Sequence, residues 1–336
     1  MAGVLTTQAL LFESAASAIA FFAMTDSGDN TIFTTTNKPW SQQTGYEPVI
    51  VPYGLATGGT ITPAVSTTNN CVDVAALTAY MAGATGASAT TGLLSVNAAT
   101  DQACTRGSGG NTNIINSITV TSAGAIAVVA GTASTAFSAT RGAAGGPPFI
   151  PVGSIEIGQV KFTSTAAAAV ASSEISQVPG TSQELYNFPV WSTDYLNGKI
   201  TFASALPLDH TGSVAKKVYA RCATPVFAEI ANCRDWKPAE ETSSVNSEAY
   251  YDQTIGSASS SLSQASFTAA LQDGVTDTLL AKKGQNLIFK FKPARSGSAY
   301  QLTQGILNVS RTYGVKSAAQ GAFTITPQQA SVDFAS

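Results

Sequence analysis

Charge is the scarcest property of this 336-residue chain: Asp, Glu, Lys and Arg make up only 11% of it, against roughly 25% in soluble globular proteins. A free monomer keeps its surface solvated with such residues, and this one has few to distribute. Histidine is nearly absent. His210 is the single copy, which excludes a Cys/His zinc cage and leaves a Ser–His–Asp triad only one candidate base. The four cysteines, Cys71, Cys104, Cys222 and Cys233, contain no CxxC pair. They read as buried free thiols in a reducing assembly compartment and as two disulfides outside a cell. No apolar run reaches the ~20 residues of a membrane helix. The run from Ala15 to Met24 follows Glu13, and the first Lys or Arg is Lys38, so the basic n-region of an export signal is missing. That run reads as a packing arm or a short amphipathic element. Basic excess is missing too. The net charge is −3, with five basic and ten acidic residues over 1–205 and twelve and ten over 206–336. Neither half clusters Lys and Arg as a binder of phosphates must.

What is present is a 44% apolar chain, long enough for two domains with cores of their own, in which Ser, Thr, Ala, Gly, Asn and Gln replace charge. Such a surface suits a subunit covered by copies of itself. Residues 1–54 read as an N-terminal arm with extended segments, anchored by Trp40, Tyr46 and Tyr53. Pro48 to Tyr53 alternates, but its two prolines demote it to a sheet edge or an extended arm. Residues 55–180 form an Ala/Gly/Ser/Thr-rich β module, read as an insertion or decoration. Within it, Val72 to Met81 has the spacing of a short helix with Asp73 near its start. Ile114 to Val129 predicts two strands around Ser122-Ala123-Gly124. Gly142 to Pro148 is a loop by composition, and Phe149 to Phe162 predicts paired strands.

The last third, taken as a domain over 181–336, has the clearest pattern. Lys217 to Phe227 alternates as a strand. Pro238 to Tyr251 is acidic and rich in Ser and Thr, and Ser266 to Leu271 follows as a strand. Asp273-Gly274 marks a turn. Val275 to Lys283 has helical spacing, with Lys282 and Lys283 in its last turn and Gly284 at the stop position. Asn286 to Pro293, Tyr300 to Tyr313 and Ala322 to Pro327 complete the order strand, helix, strand, long strand, strand.

Over residues 205 to 330 this order resembles the tail tube proteins (major tail proteins) of long-tailed bacteriophages. The resemblance implies a mainly β fold: a β-sandwich or half-barrel with a flanking helix, to which the middle module is an addition. It implies a structural virion protein, assembled in the host cytoplasm, that polymerises as stacked, hexameric rings into the tube through which DNA leaves. The implied partners are the chain itself and other tail proteins such as the tail tip, tape measure and terminator, with DNA passing without specific binding. No membrane and no cofactor is implied.

Residues able to do chemistry are sparse. His210 has no G-x-S-x-G elbow to serve and reads as a loop histidine. Glu240 and Glu241 are adjacent, so a strand would point them to opposite faces and not at one glycosidic bond. A turn bringing Glu240 to Glu248 or Asp252 would lie in a polar, solvated loop. Arg106 to Gly110 has the glycines of a phosphate loop without the following Lys-Ser/Thr. No catalytic, cofactor or metal residue is therefore assigned. The expected interface residues are the acidic Glu240, Glu241, Glu248 and Asp252 and the basic Lys282, Lys283, Lys290 and Lys292, as opposite charges that set register between copies. A channel that passes DNA is expected to have a neutral or acidic wall. Two other classes share the composition: a capsid decoration or head protein, and a secreted adhesin or carbohydrate-binding module using Tyr250, Tyr251, Trp191 and Tyr195.

Overall fold

The computed structural model describes residues 7–81, 91–207, 209–212, 217–249, 251, 254–315 and 318–335. The fold is mainly β. Every element bounded within those residues is a strand, apart from two single 3-10 turns at Ser172–Glu174 and Leu280–Lys282.

The largest sheet has nine strands, and every pairing in it is antiparallel. From one edge it runs Cys233–Lys237, Ala265–Ala270, Gln320–Pro327, Tyr300–Thr312, Asn286–Lys292, Ala9–Ala23, Val218–Glu229 and Val49–Pro52, with Val332–Phe334 pairing onto Tyr300–Thr312. The reason these segments are strands lies in their alternation. Leu287 and Phe289 turn into a core with Leu307, Phe323, Ile325, Phe267 and Leu10, while residues between them face the other way. Phe267 and Phe323 stack with ring centroids 4.8 Å apart. Val49–Pro52 sits at the sheet's edge, where prolines cost no ladder hydrogen bond.

The N-terminal segment is no separate arm. Ala9–Ala23 is a 15-residue strand inside the large sheet, paired with Val218–Glu229 and, over Ala9 to Phe12, with Asn286–Lys292. Ile32–Thr34 and Thr25–Asp26 join Lys199–Phe202 and Trp191–Asp194 in a four-stranded sheet. Its core holds Phe33, Trp40, Ile200 and Phe202. Of the three expected anchors, Trp40 and Tyr53 are buried while Tyr46 stays exposed.

The strands between Gly54 and Ser176 pair among themselves in three smaller sheets. One joins Gly54–Gly58, Leu77–Tyr80 and Leu93–Val96; a second joins Ile61–Pro63, Cys71–Val74 and Ala99–Ala103. The third orders Ile126–Ala130, Ile114–Val120, Ile155–Phe162 and Ile175–Ser176. All three contribute to one core containing Leu55, Val72, Met81, Ile118, Ile157 and Phe162. Burying such side chains contributes roughly 1.5–3 kcal/mol each before chain entropy is counted.

Three expectations need correction. Val72 to Met81 is not a helix but two strands, Cys71–Val74 and Leu77–Tyr80. Val72 and Val74 are buried in one, Leu77 and Ala79 in the other. A two-residue step at Ala75-Ala76 between two alternating pairs imitates helical spacing. Phe149 to Phe162 provides one strand, Ile155–Phe162, because Pro151, a Ser154 N–H bond to its carbonyl and Gly153 at φ 86° make the first half a turn. Lastly, Val275 to Lys283 forms no α-helix, only the 3-10 turn Leu280–Lys282. Asp277 accepts from the N–H groups of Gln272 and Gly274, and Asp273 from those of Val275 and Thr276. These short side chains take the donors that a helix start would leave open and fold them into a loop. Gly284 still takes the left-handed conformation, at φ 80°.

Candidate inter-subunit surface

The acidic, Ser/Thr-rich stretch becomes a hairpin. Glu241–Ala249 pairs with Thr254–Leu262, from Glu241 opposite Leu262 to Ala249 opposite Thr254. Its base is pinned to the large sheet. Ser331 Oγ accepts from Ala239 N at 2.9 Å, Ser331 N donates to Ala239 O at 2.8 Å, and Glu240 and Ser263 exchange bonds across the neck. Beyond the neck the hairpin is a two-stranded sheet of its own. Nine residues per strand carry it about 30 Å at ~3.4 Å per residue. Residues 241–245 and 258–262 are exposed on both faces. Hydroxyl pairs Thr242–Ser261 and Ser244–Ser259, each at 2.9 Å, help to hold the register. An isolated two-stranded hairpin is marginal in water.

A second feature lies in Ala9–Ala23. On one side this strand pairs with Val218–Glu229 along nearly its whole length; on the other, Asn286–Lys292 covers only Ala9 to Phe12. Among the described residues no strand pairs with the second edge of Ala15 to Ala23. This edge is apolar (AASAIAFFA) and uncharged, and Ala15, Ser17, Ala18 and Ala20 are exposed. Unpaired N–H and C=O groups on an apolar edge are a template for another strand.

No protein-family model matches the chain, and no curated protein matches it.

The expected interface charges are not brought together within the subunit. Glu240 and Glu241 lie exposed at the hairpin neck and form no ion pair among the described residues. Glu248 is in the hairpin's first strand, opposite Ile255; Asp252 lies outside the described residues. Lys282 and Lys283 precede the strand Asn286–Lys292, and Lys290 and Lys292 stand near its far end. Lys290 is half-buried, its Nζ 3.9 Å from the Tyr300 ring centroid and 5.6 Å from that of Phe227. Burial, and then the charge of Lys292, hold its pKa below the usual lysine range. Lys290 is thus packed against rings at roughly 0.5–2 kcal/mol, unlike an open surface charge. Of the four aromatics suggested as a sugar platform, Trp191 and Tyr195 pack on the Phe33/Trp40 core. Tyr251 stands exposed at the hairpin's far end, and Tyr250 lies outside the described residues.

A buried polar cluster in the middle module escaped the sequence reading. Glu156, fully buried in Ile155–Phe162, meets Arg141 Nη2 at 2.6 Å and His210 Nδ1 at 2.5 Å on Oε2. The His210 contact is close but not aligned as a hydrogen bond. Oε1 accepts from Ser117 Oγ and from Gln159 Nε2. Glu184 in turn accepts from Glu156 N at 2.7 Å. His210 is therefore in a loop, as expected, but its ring is docked on a buried carboxylate. Ser117 is fully buried and bonded to Glu156 and not to the imidazole, so the cluster acts as a polar lock between the 141, 156 and 210 segments. Only its surroundings distinguish Glu156 from any strand glutamate, so no sequence signal marks it.

Arg106 is likewise structural. Its guanidinium lies 3.8 Å over Phe162 and bonds Asn70 and the carbonyls of Ser164 and Ala168. The four cysteines are free thiols, and burial pushes Cys104 and Cys222 up to about 12. Among the described residues no group of three or more His, Cys, Asp or Glu is placed to hold a metal, and no helix is long and apolar enough to cross a membrane.

Proposed function

We propose that this protein is a structural subunit that polymerises with itself, and that it serves as the tail tube protein of a long-tailed bacteriophage. The observation that carries the reading is the apolar edge from Ala15 to Ala23, whose second side no strand pairs with among the described residues. A ring of subunits satisfies such edges by pairing each with its neighbour, and cyclic closure leaves none open. In this reading the large sheet, curved by its twist, is the half-barrel segment each copy contributes to the channel wall. The hairpin Glu241–Leu262 supports the second half of the proposal. It rises about 30 Å from its neck, its described side chains are exposed on both faces, and a lone two-stranded hairpin is marginal without a partner. A contact from one ring to the next is heterologous and open-ended, which makes a tube rather than a closed particle. The 11% charge content fits a surface mostly covered by sister subunits. The order of strands after residue 205 resembles that of the tail tube family, although the helix in that pattern is here a loop with one 3-10 turn; it makes a phage tail the preferred setting, with tail tip, tape measure and terminator proteins as partners.

The test is sedimentation velocity on the full chain and on a Ser17→Lys/Ala20→Lys variant. Both positions are exposed, so the fold is retained, and lysines are what natural edge strands use against pairing. Wild-type protein should form rings and larger species as concentration rises, and the variant should remain monomeric. Equal association by both would remove the edge from the proposal. Discrete trimers or pentamers that never extend would favour a head protein instead.

A further inference from the structure

The two faces of the large sheet differ in kind. One sends Phe267, Leu307, Phe323 and Ile325 into an apolar core. The other is open over Ala265–Ala270, Gln320–Pro327 and the second half of Tyr300–Thr312. Residues directly opposite across a ladder share a face. Ser266, Thr324 and Asn308 therefore form one row of the open face, and Thr268, Ala322 and Ser310 the next. The rows on either side, Ile306 with Thr326 and Thr312 with Gln320, continue the pattern. All of these side chains are exposed or half-buried, and none carries a charge. Toward the start of Tyr300–Thr312 the same face is covered, Leu302 packing with Leu196 and Ile288. Charge returns at the edge strand Cys233–Lys237, where Arg234 stands opposite Thr268 with Asp235 3.5 Å away, and Lys237 opposite Ser266. The uncharged patch is thus three strands wide. A subunit interface is built around aromatic and apolar anchors, and the one large apolar side chain in these rows is Ile306. A nucleic-acid site clusters Lys and Arg, and these rows have neither.

We infer that this face lines the channel of the assembled tube, as an uncharged, hydroxyl-rich wall past which duplex DNA moves. The inference rests on the tail-tube reading and adds to it which face points to the axis and by what chemistry. A sheet that forms a channel wall cannot turn its core-packed face to the channel, so the open face is the one that does. Ser, Thr, Asn and Gln side chains both donate and accept hydrogen bonds, which keeps such a wall hydrated. Without lysine or arginine, the wall offers no exchange of counterions for phosphate contacts, the exchange that makes a basic surface hold DNA.

Placement is tested with Asn308→Cys and Ser310→Cys, both at exposed positions, assembled first and then labelled with maleimide-gold for negative-stain microscopy. Wild-type tubes, whose own cysteines are buried or half-buried, serve as the background. Gold along the tube axis is expected from either variant. Gold along the outer surface would overturn this inference and leave the assembly reading standing, whereas no tubes from wild-type protein would remove both. The chemistry is tested with Asn308→Lys/Ser310→Lys tubes offered linear duplex and, separately, covalently closed circular DNA, which cannot thread a channel. Wild-type tubes should retain neither. The lysine variant should retain the linear duplex alone, its log affinity falling with log salt by about 0.9 more for each lysine–phosphate contact. Equal retention of both forms by the variant, or retention of linear duplex by wild type as tight as by the variant, would overturn the inference.

Discussion

Removing Arg141 should cost this protein far more than a loop arginine normally would. Its guanidinium bonds Glu156 Oε2 at 2.6 Å inside the middle module, where the glutamate side chain is fully buried and the arginine nearly so. Arg141→Met keeps most of the stem and removes the charge. The carboxylate then retains Ser117, Gln159 and the unaligned His210 contact, but loses its only permanently charged partner. Breaking a buried pair in this way costs about 3–5 kcal/mol, a large share of the ~5–15 kcal/mol that holds a domain folded. At ~2–4 °C per kcal/mol for a unit of 150–250 residues, the melting point should fall by about 6–20 °C. The double variant Arg141→Met/Glu156→Gln should recover much of the loss, because no unpaired charge stays buried. Urea denaturation of wild type, the two single variants Arg141→Met and Glu156→Gln, and the double variant gives the coupling directly. A single variant within ~0.5 kcal/mol of wild type, or a double variant no better than Arg141→Met, would refute the reasoning.

Other consequences follow from single groups. Glu13 has a raised folded-state pKa, so the native state binds more protons than the unfolded one; its contribution is fully present below the ordinary glutamate range and declines as pH rises through the raised value. Glu13→Gln should therefore flatten the pH dependence of stability above that range, measured by melting between pH 4 and 8 (roughly the span over which a buried Glu titrates). Asp273 is held down to about 2 by Thr276 and the N–H groups of Val275 and Thr276; its contribution is present above the ordinary Asp range and lost as pH falls toward that value, so Asp273→Asn should loosen hydrogen-exchange protection of the 272–277 loop at neutral pH. Gly305→Ala places a Cβ 2.3 Å from the Thr326 carbonyl oxygen. That backbone cannot step aside cheaply, and a loss of about 1–3 kcal/mol in urea is expected. Replacing Glu241–Leu262 with a short Gly-Ser turn should leave the melting point of the subunit nearly unchanged while abolishing assembly beyond single rings in sedimentation.

The parts of the fold that were legible in the sequence are those where strand-forming residues run between turn formers that the structure uses as turns. Asn286–Lys292, Tyr300–Thr312 and the pair flanking Thr121–Ala125 are rich in strand-forming residues and bounded by turns, where Gly124 and Gly284 take positive φ. The prolines around Val49–Pro52 pointed to an edge because proline has no N–H to donate there. Misreadings arose where a local competitor changed the outcome. Asp273 and Asp277 divert the donors of a would-be helix, and Ala75-Ala76 offsets two alternating strands into apparent helical spacing. Ala9–Ala23 was obscured because its Ala-rich half faces a partner on only one side, so it has no polar-apolar rhythm. The hairpin's composition was visible in advance as an acidic Ser/Thr stretch. Its extension as a free two-stranded arm was not, since length without an apolar face looks like a loop. The buried sites at Glu156 and Glu13 depend on partners more than a hundred residues apart in the case of Ile288, which no spacing rule records.

The central claim is assembly through the Ala15–Ala23 edge and the hairpin, and negative-stain electron microscopy of the purified chain at rising concentration tests it most directly. The account predicts hollow tubes, or stacked rings with stain-filled centres, from wild-type protein and none from Ser17→Lys/Ala20→Lys. Monodisperse particles without a central channel at every concentration, or tubes formed equally well by the edge variant, would contradict it.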